Sequence, residues 1–184
     1  MLSWKRWQVN DPTVKHKGIS RVMQALAWIS VMALLALYFE DVLERQRNPN
    51  RSIDSALTED GTREVVLRRN RMGHYVTSGT INGEGVVFLL DTGATGVAIP
   101  EAIAEKLGLP RGRPFLSRTA NGTARSYQTN LGEVGVGAIR LRDVDASITP
   151  GLEMNEILLG MSFLKHIEFT QRGKTLTLRQ YPGS

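Results

Sequence analysis

The sequence contains no cysteine, which excludes disulfide bridges, thiolate metal sites and cysteine nucleophiles at once. Histidine is nearly as scarce. His16, His74 and His166 are each isolated from any second ligand at metal-like spacing, so they read as surface or hydrogen-bonded side chains, and neither a metal nor an organic cofactor is expected. There is also no concentrated basic field over the C-terminal half, although the formal net charge is +5. The excess gathers in Lys5, Arg6, Lys15, Lys17 and Arg21 at the N-terminus and in Arg63, Arg68, Arg69 and Arg71 further on. Such a distribution does not predict a nucleic-acid partner.

One long stretch lacks charge altogether. From Val22 to Phe39 only Gln24 and Ser30 interrupt an apolar run, about the length needed to span a bilayer core at 1.5 Å per residue. A buried soluble helix would need a partner surface on every side. A cleaved signal peptide would have a shorter basic leader and small residues after the apolar run, whereas this run ends in Leu37-Tyr38-Phe39-Glu40-Asp41. A retained anchor is therefore expected. Lys and Arg crowd its N-terminal flank, while Glu40, Asp41 and Glu44 follow it. That asymmetry predicts a cytoplasmic N-terminus over residues 1–21, a single-pass inner-membrane anchor over 22–39, and the remainder across the membrane, in a bacterium the periplasm. Residues 40–73 are polar, include Asn48-Pro49-Asn50, and read as a linker in which Val65-Val66-Leu67 could form a short strand.

From 74 to 184 the pattern is one of short strands. Tyr75–Ile81 and Gly85–Leu90 flank Asn82-Gly83, a hairpin signal because both turn residues tolerate positive φ. Val97–Ile99 reads as a strand, and Pro100 opens a helix that Gly108 and Pro110 end. Further strands are expected near Leu131–Val136, Ile139–Ile148 and Thr175–Leu178, with one or two helical turns over Met161–His166. Many short strands, frequent glycine turns and little helix predict an all-β, barrel-like domain.

Within this domain, Phe88-Leu89-Leu90 places a buried strand directly before Asp91, and Thr92-Gly93-Ala94-Thr95 allows a tight turn beside the carboxylate. An ordinary aspartate turn would account for the triplet alone. The wider stretch, however, closely resembles the signature of retropepsin-like aspartic peptidases, two apolar residues followed by Asp-Thr-Gly-Ala. Ile157-Leu158-Leu159-Gly160 resembles the family's second element, which packs beneath the catalytic loop. Arg118 to Thr129, with Asn121-Gly122, lies where the family carries its flap. The helix after Pro100 and Gly160-Met161-Ser162-Phe163-Leu164 resemble the bacterial, membrane-anchored branch, and the likeness spans about residues 74 to 180.

The resemblance implies a closed β-barrel with one or two short helices, preceded here by a single transmembrane helix. It implies that Asp91 is the catalytic carboxylate, that Thr92 bonds across a dimer axis, and that Gly93 brings its amide near the carboxylate. Ala94, Thr95, Asn121, Gly122 and Gly160 are the expected substrate-binding positions, with Thr95 departing from the aspartate of viral members. The implied reaction is hydrolysis of a polypeptide substrate. It needs a base and an acid, which two adjacent carboxylates supply by sharing a proton. No second Asp-Thr-Gly or Asp-Ser-Gly occurs in the chain, so a homodimer is expected to complete the site. Asp143 and Asp145 read as solvent-facing strand residues. A catalytically inactive peptide-binding module of the same fold is the alternative, and the intact Asp91-Thr92-Gly93 triplet argues against it.

Overall fold

A computed structural model describes residues 16–119 and 122–183. The chain divides into two units, Met1–Leu43 and Glu44–Ser184. Helix α1 runs from His16 to Arg47. Its stretch from Arg21 to Arg47 is long and apolar enough to cross a membrane, and none of its most apolar window is buried against protein. Leu26, Trp28, Leu34 and Leu37 are all exposed around it. An all-round apolar exterior is the surface that water disfavours and a lipid phase accepts.

The second unit begins to fold well ahead of His74. Strands β1 (Asp54–Leu57) and β2 (Arg63–Arg68) form a hairpin, and β2 pairs along its length with the last strand, β11 (Thr175–Gln180). A fourth strand, β10 (Glu168–Arg172), completes an antiparallel sheet of order β1-β2-β11-β10. The expected polar linker over 40–73 is therefore corrected. Val65 and Leu67 are fully buried in the core, and α1 continues to Arg47. Asn50 sutures the junction: its Nδ2 donates to the carbonyls of Arg68 (2.9 Å) and Val76 (2.7 Å), and its Oδ1 accepts from the Arg68 amide (2.7 Å). The alternation at Val65 and Leu67 is too brief to distinguish a core strand from a polar segment by pattern alone.

The second sheet has the order β3-β4-β9-β5-β8-β7-β6, with β7 returning to pair with β3 at Thr80↔Gly135 and Ile81↔Val134. Its strands are β3 (Tyr75–Ile81), β4 (Glu84–Leu90), β5 (Val97–Pro100), β6 (Pro114–Thr119), β7 (Gly122–Val136), β8 (Ile139–Thr149) and β9 (Ile157–Leu159). That return closes a barrel and leaves β6 outside it. Asn82 and Gly83 both take positive φ, 52° and 88°, as the two-residue turn requires. Two short helices lie against the barrel, α2 (Glu101–Lys106) and α3 (Met161–Leu164). Phe88, Ile99, Leu131, Ile148, Ile157, Leu159 and Phe163 are fully buried, each worth about 1.5–3 kcal/mol relative to exposure. The fold is thus mostly β, as the residue pattern predicts.

Candidate active site

β4 and β9 run parallel, with Leu89 beside Leu158 and Leu90 beside Leu159, so the chain leaves the core at Leu90 with its direction already fixed. Asp91 follows immediately. Its amide donates to the Leu159 carbonyl (3.2 Å), and its carbonyl accepts from Ala94 (3.2 Å), closing the turn. Its Oδ1 accepts from the Gly93 amide at 2.8 Å. This orients the half-buried carboxylate while leaving Oδ2 without a described protein partner.

Gly160 underlies the loop. It is buried, and a Cβ there would stand 2.2 Å from the Gly96 carbonyl oxygen and 2.7 Å from that of Ala94, distances no side chain can occupy. Only glycine lets β9 pass so close to the loop. The following amide, Met161, donates to Ala94 O at 2.9 Å. Ser162 then bridges three segments: its Oγ accepts from the Val97 amide (3.0 Å) and donates to the Asp145 carbonyl (2.8 Å). The loop therefore hangs between β4, β9 and α3 on main-chain bonds and one hydroxyl.

A wide cleft of about 1630 Å³ opens over the carboxylate. Asp91, Gly93, Ala94 and Thr95 form one side, and Phe115, Leu116, Thr123 and Ala124 from the β6–β7 hairpin form another. Phe115 and Leu116 are exposed, Leu116 by 76%, so the hairpin presents apolar surface to the cleft. Its lower part is tied by hydroxyls: Ser117 Oγ to Ser126 Oγ (2.7 Å), and Ser126 Oγ to Thr149 Oγ1 (3.1 Å).

Of the expected residues, Asp91, Gly93, Ala94 and Thr95 come together at the cleft. Thr92 is exposed on the same loop but does not line it. Gly122 lies at the hairpin end with φ 112°, opposite Thr119, and Asn121 lies outside the described residues. Gly160 is corrected from a substrate-binding position to a packing one, because it is buried beneath the loop and has no surface in the cleft. Asp143 and Asp145 are exposed, as expected of solvent-facing residues, but Asp145 also borders the cleft. The bridging role of Ser162 and the Ser117–Ser126–Thr149 series escape the sequence reading. No capping signal marks the first, since Gly160 holds the N-cap position of α3 and no side chain caps it.

Residues 77–166 match the family of gag-polyprotein putative aspartyl proteases. The chain is 31% identical over 177 residues to an uncharacterized protein from the cobV 5′ region of a Sinorhizobium species, covering 90% of this chain and 76% of the relative. An uncharacterized protein of Rickettsia prowazekii is 27% identical over 177 residues, covering 92% of this chain and 76% of the relative. Among solved structures, a retropepsin-like aspartic protease from Rickettsia conorii shares the fold, with a TM-score of 0.54 at 24% identity over 70% of this chain and 96% of that one. The residues that carry the Asp91 loop and most of the barrel thus belong to the aspartyl protease family of that model, on a fold shared with a retropepsin-like protease.

Proposed function

We propose that the protein is an aspartic endopeptidase, held in the inner membrane by α1 with its barrel in the periplasm, and active as a homodimer that brings two Asp91 carboxylates together. The observation that carries this reading is the Asp91 carboxylate itself, oriented by the Gly93 amide at 2.8 Å and open to a cleft wide enough for an extended peptide. A residue serving only a turn has no need of a cleft.

In the proposed reaction, one carboxylate takes a proton from water as its oxygen attacks the peptide carbonyl, and the protonated partner donates to the carbonyl oxygen. Collapse of the tetrahedral intermediate breaks the C–N bond, with a proton passing to the leaving amine. One chain supplies one such carboxylate, so two are required. Thr92, exposed beside Asp91, is assigned the contact across the dimer axis, and Gly93 the close approach of the two loops. Ala94, Thr95 and the β6–β7 hairpin would hold the peptide.

The test uses Asp91→Asn, which keeps the shape of the side chain but cannot carry the shared proton. The variant should fold and dimerise without cleaving peptides. Titrated into a fixed amount of wild type, it should lower activity by subunit exchange, and the wild-type pH profile should have two limbs that belong to the pair. Constant activity during the titration, with no dimer by sedimentation, would sink the shared site. Absence of any cleavage by the wild type would favour a peptide-binding module. For topology, a periplasm-only reporter fused after Ser184 should be active in a bacterial host, and a cytoplasm-only reporter silent; the reverse rejects the orientation.

A further inference from the structure

The arginines of the segment expected to be a linker find a common setting once β2 pairs with β11. The β2–β3 turn carries Arg68, Arg69 and Arg71, and the β10–β11 turn carries Arg172 and Lys174. The two turns lie side by side, with Arg68 opposite Thr175 and the Arg69 amide donating to the Lys174 carbonyl at 2.8 Å. The end of α1 joins them, since Asn70 Nδ2 donates to the Arg47 carbonyl at 3.0 Å. Arg47 and the cations of both turns are exposed, and neither turn contains an Asp or Glu. Among the described residues none of these cations is ion-paired with a carboxylate. Met72, 73% exposed, protrudes from the same turn as Arg71.

We infer that this cationic face docks on an anionic lipid surface, with Met72 entering the headgroup layer. The inference rests on the proposed membrane anchor. Charge complementarity and chain length select the occupant. As helix, only about 12 Å of chain separates Phe39, the last residue of the apolar run, from Arg47 at the edge of the patch, so the patch begins close to the leaflet. Unpaired surface cations near a charged leaflet each add to attraction, and an apolar side chain among them adds burial. Opposing charge near the anchor comes from Glu40, Asp41 and Glu44, of which Glu44 is engaged by Arg51. Docking has a catalytic consequence. His74 ends the basic turn and precedes Tyr75, the register partner of Leu90, so the Asp91 loop lies roughly 10 Å from the patch by strand spacing and residue rise. Peptide bonds near the bilayer surface would then be the ones presented to it.

The absence of native cysteine makes a clean probe available. The full chain, with Met72→Cys carrying an environment-sensitive nitrobenzoxadiazole, is reconstituted into vesicles of phosphatidylcholine alone or with about one-third phosphatidylglycerol. Its emission should shift to the blue and rise at least about twofold in the anionic vesicles, and the rise should vanish in about 0.5 M salt. Replacing Arg69, Arg71 and Lys174 with glutamine should abolish it, and if that variant fails to fold, the salt titration tests the same charges in the unaltered chain. Equal emission in both vesicle types, with the chain retained after an alkaline wash, overturns the docking surface alone. Loss of the chain in the wash overturns the anchor and the docking surface together. A blue shift produced by an RNA oligonucleotide but not by anionic lipid assigns the patch to nucleic acid and overturns it as well.

Discussion

The Asp91 loop and the β6–β7 hairpin border the same cleft, and they are held by opposite means. The loop is suspended on main-chain bonds from Leu159 and Met161 and on the Ser162 hydroxyl, with no free volume at Gly160. At the hairpin end, a Cβ on Gly122 would meet nothing within 4 Å, and Leu116 is largely exposed. On the proposed peptidase reading, the loop needs a carboxylate fixed to within fractions of an ångström, whereas a hairpin that covers a bound peptide needs room to adjust. Substitutions in the two regions should therefore separate stability from turnover.

The largest effect is expected from Gly160→Ala, whose new methyl would meet the Gly96 and Ala94 carbonyl oxygens at 2.2 and 2.7 Å. Because both obstacles are backbone, the variant should lose about 3 kcal/mol or more and lose cleavage with it, as urea unfolding and a peptide assay would report. A stable, active variant would break the contrast at its rigid end. Next comes Ser162→Ala, which orphans the Val97 amide and the Asp145 carbonyl. A loss of about 1–3 kcal/mol is expected, with kcat falling more than KM changes and Ser162→Thr restoring part of both. Unchanged kcat would reduce Ser162 to a packing residue.

At the adaptable end the order of effects should invert. Gly122→Val puts a β-branched residue at φ 112° in a surface hairpin, costing about 1–2 kcal/mol of stability but impairing turnover more. Outright unfolding would show that the hairpin belongs to the core. The smallest change is expected from Ser126→Ala, which cuts the hydroxyl series between Ser117 and Thr149. About 1 kcal/mol should be lost, and the effect on KM should exceed that on kcat.

The sequence shows the rigid half far better than the adaptable one. Asp91 and its neighbours form one contiguous string, with a buried strand before it and small residues after it, and Ile157–Gly160 is a second short string. Ser126 and Ser162 are single hydroxyls among many, and nothing local distinguishes a serine that spans three segments from one that faces water. Gly160 reads as near the substrate because its motif travels with the loop, yet its buried position makes it a spacer. Asn48-Pro49-Asn50 carries turn signals that are correct locally and silent about burial, although both asparagines are buried.

By itself the sequence determined the features decided within a few residues. Asn82-Gly83 fixes a turn because only such residues accept positive φ cheaply, and Val22–Phe39 fixes an apolar helix because no charge interrupts it. The tertiary structure alone decided that residues 63–68 pair with 175–180 and that two basic turns far apart in the chain meet. It also decided that β7 closes the barrel on β3. Pairings of that kind depend on which distant strand is left with an open edge once the barrel forms, and local periodicity carries no record of it.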